Sequence, residues 1–150
     1  MRSQDLEKSR QFIDLESYYR IEKLRVAKNY NRAKHRGFTD KNDFADWFID
    51  QLEAYNCKCF YCETSIHEIK RLIDAGLLKQ RNTRFGHRGK ILEVDKNDND
   101  YTKEQCVLSC YYCNNDKSYT SDKDDYKEHF GANRHIYFRG LIDKLNANNV

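Results

Sequence analysis

The sequence predicts an α+β fold, a mostly helical single domain of 150 residues gathered around one short β-hairpin that runs into a helix. Three observations predict it. Residues 91–109 hold two short runs rich in aliphatic residues, ILEVD and CVLS, on either side of a polar loop. Apolar residues at helical spacing occupy most of the remaining chain, and there is no proline to interrupt them. Two Cys-x-x-Cys pairs, Cys59/Cys62 and Cys110/Cys113, lie before and directly after the hairpin with 47 residues between them.

Taken in order, residues 4–34 predict one long helix or two joined ones, with Ile21, Leu24, Ala27 and Tyr30 forming an apolar stripe. Between positions 20 and 36 the chain carries seven Lys or Arg and a single acid, Glu22. Acids that would balance an ordinary solvated helix face are missing there, which favours contact with an anionic backbone through Arg32, Lys34 and Arg36. Asp40 is placed to cap a second helix, in which Phe44, Trp47, Phe48, Leu52 and Tyr55 give the clearest amphipathic pattern of the chain. Its single Trp reads as core packing. Ser65 and Glu68 have the spacing of a capping box, Ile66, Ile69, Leu72 and Ile73 form the apolar face behind it, and Gly76 can end that helix.

Residues 78–90 are basic again, with Arg81, Arg84, His87 and Arg88 leading straight into the hairpin. The hairpin is expected as strands at 91–95 and 106–109, followed by a helix opening at Asn114. Ser121–Asp124 can cap a short helix carrying Tyr126 and Phe130, and a last helix at about residues 134–145 shows Ile136, Leu141, Ile142 and Leu145, with a frayed tail from 146. No repeat and no linker divides the chain, so residues 1–56, 57–120 and 121–150 read as a basic helical lead-in, a cysteine-stapled core and closing helices of one domain.

Composition narrows the chemistry. A net charge of +3 is only mildly basic, but the Lys and Arg gather at 20–36 and 79–90 while acids gather at 95–104 and 122–128. That polarity fits one side facing phosphate and another facing metal. No apolar run approaches membrane-spanning length, and the N-terminus has no apolar signal-peptide core, so a cytoplasmic chain without a membrane partner is expected. In that reducing compartment the six cysteines point to metal and not to disulfides. Each Cys-x-x-Cys knuckle offers two thiolates in a tight turn, and Cys59, Cys62, Cys110 and Cys113 together make a closed, structural Zn2+ site. Cys57 could exchange with Cys59 as a ligand, and Cys106 reads as a small buried hydrophobe. A hairpin that ends in an acid, followed by a helix that carries an amide, can also hold one hard divalent ion, with Asp95 and Asn114 as its oxygen ligands.

The segments NYNRAKHRGF, DFADWF and CFYC, then LEVDK, Tyr101 and VLSCYYCNNDK, together resemble the zinc-stapled branch of the HNH (ββα-metal) endonucleases, which includes rare-cutting restriction and phage enzymes. The resemblance covers roughly residues 30–117. It implies a ββα-metal motif, hydrolysis of phosphodiester bonds in double-stranded DNA, a catalytic Mg2+ or Mn2+, and often a homodimer that cuts both strands. Carried over residue by residue, Asp95 and Asn114 match the metal ligands, Lys96 stands where relatives have Arg, Tyr101 falls at the loop tyrosine and Lys117 matches a helix lysine placed for a phosphate. Gln105 replaces an Asn found in many members, and Lys96 occupies the position of the usual general-base His. A lysine charged at neutral pH has no lone pair to accept a proton, so Lys96 is cast as a phosphate clamp. His87, with a reference pKa of about 6.5, and Tyr101 are the two candidates for activating the nucleophile. Surface contact for His87 and loop packing for Tyr101 are the plainer alternatives. A zinc-stabilised nucleic-acid-binding module without cleavage is the competing function.

Overall fold

Phe44, Trp47, Phe48 and Leu52 fall on one side of a helix and are all buried, and against them the rest of the core is laid down. The computed structural model describes residues 37–39, 41–83, 86–89, 92–97 and 102–148. The elements are α1 (Lys41–Ala54), α2 (Ile66–Asp74), β1 (Arg81–Thr83), β2 (Gly86–Arg88), β3 (Glu93–Asp95), β4 (Val107–Ser109), α3 (Tyr111–Lys117), α4 (Lys123–Tyr126) and α5 (Ala132–Asn148). They form a small α+β domain in which two separate two-stranded antiparallel sheets sit among helices. The long N-terminal helix, and with it Arg32, Lys34 and Arg36, lies outside the described residues, as does Asp40.

The aromatic stripe of α1 packs edge-on against Phe38, whose ring centroid lies 5.2 Å from both Phe44 and Trp47. Tyr55 does not continue that stripe. The helix stops at Ala54 because Asn56 and Cys57 both take positive φ (52° and 59°), and Tyr55 is left 41% exposed. The turn delivers Cys57 N–H to the Leu52 carbonyl (2.8 Å) and points the chain at the first knuckle.

The capping box of α2 is present in both halves. Ser65 Oγ accepts from the Glu68 N–H (3.2 Å) and Glu68 Oε1 accepts from the Ser65 N–H (3.1 Å). Ile66, Ile69 and Leu72 are buried, and Gly76 lies just past the helix end with φ 77°. Residues 81–88, expected only as a basic segment, form the β1–β2 hairpin. RNT and GHR alternate no apolar residues, so period-two patterning carries no signal for it.

The predicted hairpin is β3–β4, with Glu93 opposite Ser109, Val94 opposite Leu108 and Asp95 opposite Val107. All six residues are buried, α1 packs against β4 and α3 packs against β3. Buried Asn97 closes the loop beyond β3. Its Nδ2 donates to Gln105 Oε1 (3.1 Å) and Asp122 Oδ1 (3.0 Å), and its Oδ1 accepts from the Lys123 N–H (3.1 Å). Gln105 therefore works as a loop clasp.

In place of two separate closing helices, one helical run extends from Lys123 to Asn148, interrupted by a π-helical turn over Lys127–Gly131. A π turn takes an extra residue and so rotates the remainder of the helix by about 100°. That rotation is why Tyr126 and Phe138 face the core while Phe130 and Ile136 do not, Ile136 being 69% exposed. The tail is not frayed at 146, where Arg71 Nη2 donates to Asn146 Oδ1 (2.8 Å).

Gly131 is the point of closest approach. A Cβ there would lie 2.4 Å from the Tyr61 carbonyl oxygen, whereas one on Gly140 would meet nothing within 4 Å. Gly131→Ala should therefore lower stability by about 1–3 kcal/mol, or roughly 3–10 °C in Tm. Gly140→Ala on the same helix should raise it by about 0.5–1 kcal/mol, and paired thermal melts read both signs.

Candidate functional site

The first knuckle is a tight loop closed by a Lys58–Ser65 bridge. Cys59 N–H donates to the Thr64 carbonyl (3.0 Å), Glu63 N–H donates to the Cys59 carbonyl (2.9 Å), and Glu63 itself turns the chain at φ 55°. Inside the loop the Tyr61 N–H donates to Cys59 Sγ at 3.4 Å. The second knuckle is the first turn of α3, which opens at Tyr111 and not at Asn114 as the sequence predicts. Cys110 is its N-cap, and its sulfur accepts the Cys113 N–H at 3.4 Å in the place where a Ser or Asp oxygen would sit.

A backbone bond from Phe60 N–H to the Leu108 carbonyl (2.9 Å) lays one knuckle beside the other. The result is four buried sulfurs, from Cys59, Cys62, Cys110 and Cys113, all within 4.8 Å of one another. Cys62 and Cys110 sulfurs are 3.9 Å apart. Four thiolates at about 2.3 Å from a tetrahedral zinc lie about 3.8 Å apart, so the group fits a structural metal such as zinc. Hydrogen bonds from Cys110 and Cys113 hold the Cys62 thiol well below its ordinary pKa, while burial pushes Cys110 up. Cys57 and Cys106 are also buried but are not members of this four-sulfur group.

The first half of the Lys123–Asn148 helical run clasps the first knuckle from outside. His135 Nδ1 meets the Cys62 carbonyl at 2.7 Å, and Lys127 Nζ donates to the Phe60 carbonyl while lying 4.7 Å from the Phe60 ring centroid.

Beside the sulfurs lies a layer of buried charge. Alternation along β3 puts Glu93 and Asp95 on one face with Val94 on the other. Asn114 and Lys117, three apart on α3, meet them: Asn114 Nδ2 donates to Glu93 Oε2 (3.0 Å) and Lys117 Nζ pairs with Asp95 Oδ2 (3.3 Å). Asp95 is 3% exposed and Lys117 1%. Tyr61 completes the cluster from the first knuckle, its hydroxyl donating to Asp95 Oδ2. Burial, with the Asp95 carboxylate next, pushes the Tyr61 phenol far up. A buried ion pair of this kind adds little net stability, yet removing one partner costs about 3–5 kcal/mol because it strands the other charge.

Asp95 and Asn114 thus stand on adjacent elements of one layer. Lys117, expected on a surface facing phosphate, is instead turned inward, because a carboxylate two strand positions from Glu93 offers its ammonium a buried partner. Lys96 is half-buried one residue past β3. His87 belongs to β2, opposite Asn82, and Arg81 is opposite Arg88 in the same hairpin. Tyr101 and Arg84 lie outside the described residues. Sequence reasoning misses Tyr61 and Glu93. Glu93 is legible two positions before Asp95 in a strand, but nothing local marks Tyr61, whose partner is 34 residues away.

Comparison of the chain with protein-family models, with curated proteins and with solved structures gives no match. Among the described residues no helix is long and apolar enough to cross a membrane.

This geometry sets up two measurements. The purified protein should carry one zinc per chain; Cys62→Ser or Cys110→Ser should lose the metal and near-UV dichroism together, and Cys106→Ala should keep both. Burial pushes the Tyr112 phenol up to about 12, and burial raises Tyr61 and Tyr126 further. Unfolded tyrosines ionise at about 10, so the folded state binds more protons above that pH. Stability should hold below about pH 10 and fall between about pH 10 and 12, with the buried tyrosines' share of the tyrosinate absorbance appearing together with unfolding, and Tyr112→Phe should soften the slope.

Proposed function

We propose that this protein is a metal-dependent endonuclease of the HNH (ββα-metal) type, hydrolysing phosphodiester bonds in double-stranded DNA as a restriction, phage or defence nuclease. The observation that carries the reading is the β3–β4 hairpin closed onto α3, which puts Asp95 and Asn114 on adjacent elements of one layer, beside a four-cysteine group that ties the first knuckle to the hairpin's exit.

The donors suit a hard divalent ion such as Mg2+ or Mn2+, since both are oxygen ligands. Glu93 accepts from Asn114 Nδ2, which fixes the amide and leaves its oxygen as the free end for a cation. A divalent ion held there supplies charge neutralisation at the scissile phosphate and at the leaving oxygen. Lys96, at the exit of β3, is the proposed phosphate clamp, and His87 or Tyr101 activates the nucleophile. The basic composition of residues 79–90 supports phosphate contact. A second copy of the chain supplies the cut on the other strand.

One observation favours the competing reading, a DNA-binding zinc module without cleavage. Asp95 Oδ2 is already engaged by Lys117 and Tyr61, so its charge is balanced before any ion arrives.

The zinc-loaded protein incubated with supercoiled plasmid decides between them. Nicking or linearisation with Mg2+ or Mn2+, abolished by EDTA and reduced by about 100-fold or more in Asn114→Ala and Asp95→Asn, is the expected result. Salt-sensitive DNA binding with no cleavage by any divalent ion across DNAs of varied sequence would establish the binding module instead.

A further inference from the structure

The geometry points to Tyr61 as a positioning residue that sets the Asp95 carboxylate from the four-cysteine centre; the assignment rests on the reading of Asp95 as a divalent-ion ligand. Tyr61 lies between two of the metal-binding cysteines, Cys59 and Cys62, and its backbone is held from both sides. Its N–H donates to Cys59 Sγ (3.4 Å), and its carbonyl is pressed so closely by Gly131 that no Cβ fits between them.

The side chain is held as tightly as the backbone. The ring is 2% exposed and is met edge-on by Phe60 (centroids 5.2 Å apart, planes at 80°) and by Tyr126 (4.9 Å, 79°). A tyrosine has only two side-chain torsions, and here packing fixes the ring they place. Its hydroxyl therefore arrives at Asp95 Oδ2 with little freedom.

Lys117 reaches the same oxygen at 3.3 Å, but the two donors do different things. Lysine brings a full positive charge on a flexible four-carbon stem. A divalent ion on Asp95 would repel that charge and make it redundant. The neutral hydroxyl carries no such conflict, so it can go on orienting the carboxylate when an ion is bound, as hydrogen-bond partners of metal-ligating carboxylates do. One side chain thus spans the gap between the sulfur cage and the oxygen ligand. Divalent affinity becomes sensitive to a residue that touches neither ion.

The test is Mn2+ titration read by electron paramagnetic resonance, with zinc content measured in parallel by mass spectrometry. Wild type is compared with Tyr61→Phe, with Tyr126→Phe, and with Asp95→Asn made together with Lys117→Met so that no buried charge is left unpaired. Tyr61→Phe should keep one zinc per chain yet bind Mn2+ about 10–100-fold more weakly. Tyr126→Phe, which loses a hydroxyl bonded to Asp116, should bind Mn2+ as wild type does. Wild-type Mn2+ affinity in Tyr61→Phe, with binding abolished in the Asp95→Asn/Lys117→Met protein, would overturn the role of Tyr61 and leave Asp95 as the ligand. Equal binding by wild type and that double variant would remove the ligand itself and the inference with it. Loss of zinc from Tyr61→Phe would also overturn it, assigning the hydroxyl to the sulfur cage.

Discussion

The packing of four sulfurs into one buried group is the constraint on which the other contacts depend. The hydrogen-bonded strands of β3–β4 are three residues long, and α3 has seven residues, lengths at which neither a hairpin nor a helix persists alone in water. Joining Cys59 and Cys62 to Cys110 and Cys113 fastens α1 and the first knuckle to the exit of the hairpin. Only with that join made does Tyr61 come within reach of Asp95, and only then is there a surface for Gly131 and His135 to close against.

Against that rigid frame the chain places a carboxylate, an ammonium, an amide and a second carboxylate in a layer shielded from water. The arrangement is self-consistent: each acid on β3 has a nitrogen donor from α3, in matching order along the two elements. Such a layer is costly to assemble from hydrated charges and gives back little in net stability. Its specificity is the greater effect, because a one-residue slip of β3 would turn both acids to the other face of the hairpin and leave Lys117 alone.

Much of this is legible in the sequence, for reasons that can be stated. Knuckle spacing names all four sulfur donors, since metal chemistry demands two thiols per tight turn. The capping box at Ser65 and the aromatic face of α1 are legible because both are local, periodic signals. Three things are not. The β1–β2 hairpin has polar strands and so lacks alternation. The inward turn of Lys117 depends on an acid 22 residues earlier in sequence, which no helix-face argument can see. The π turn shifts the buried face of the last helix by one residue, so a strict 3.6 period counted on from Tyr126 reaches exposed Tyr137 where the fold buries Phe138.

The long interval between the two knuckles also orders events as the chain is made. A ribosome releases the Cys59–Cys62 loop well before its partners, at about 5–20 residues per second, so for several seconds two thiols of a four-thiol cage stand alone. Their outer clasp, Gly131 with His135, emerges later still. Cys110 and Cys113, by contrast, appear within the local hairpin–helix unit that orients them. The nascent protein therefore passes through an interval in which its first thiol pair is open to oxidants and to soft metals before the other two sulfurs exist to enclose it.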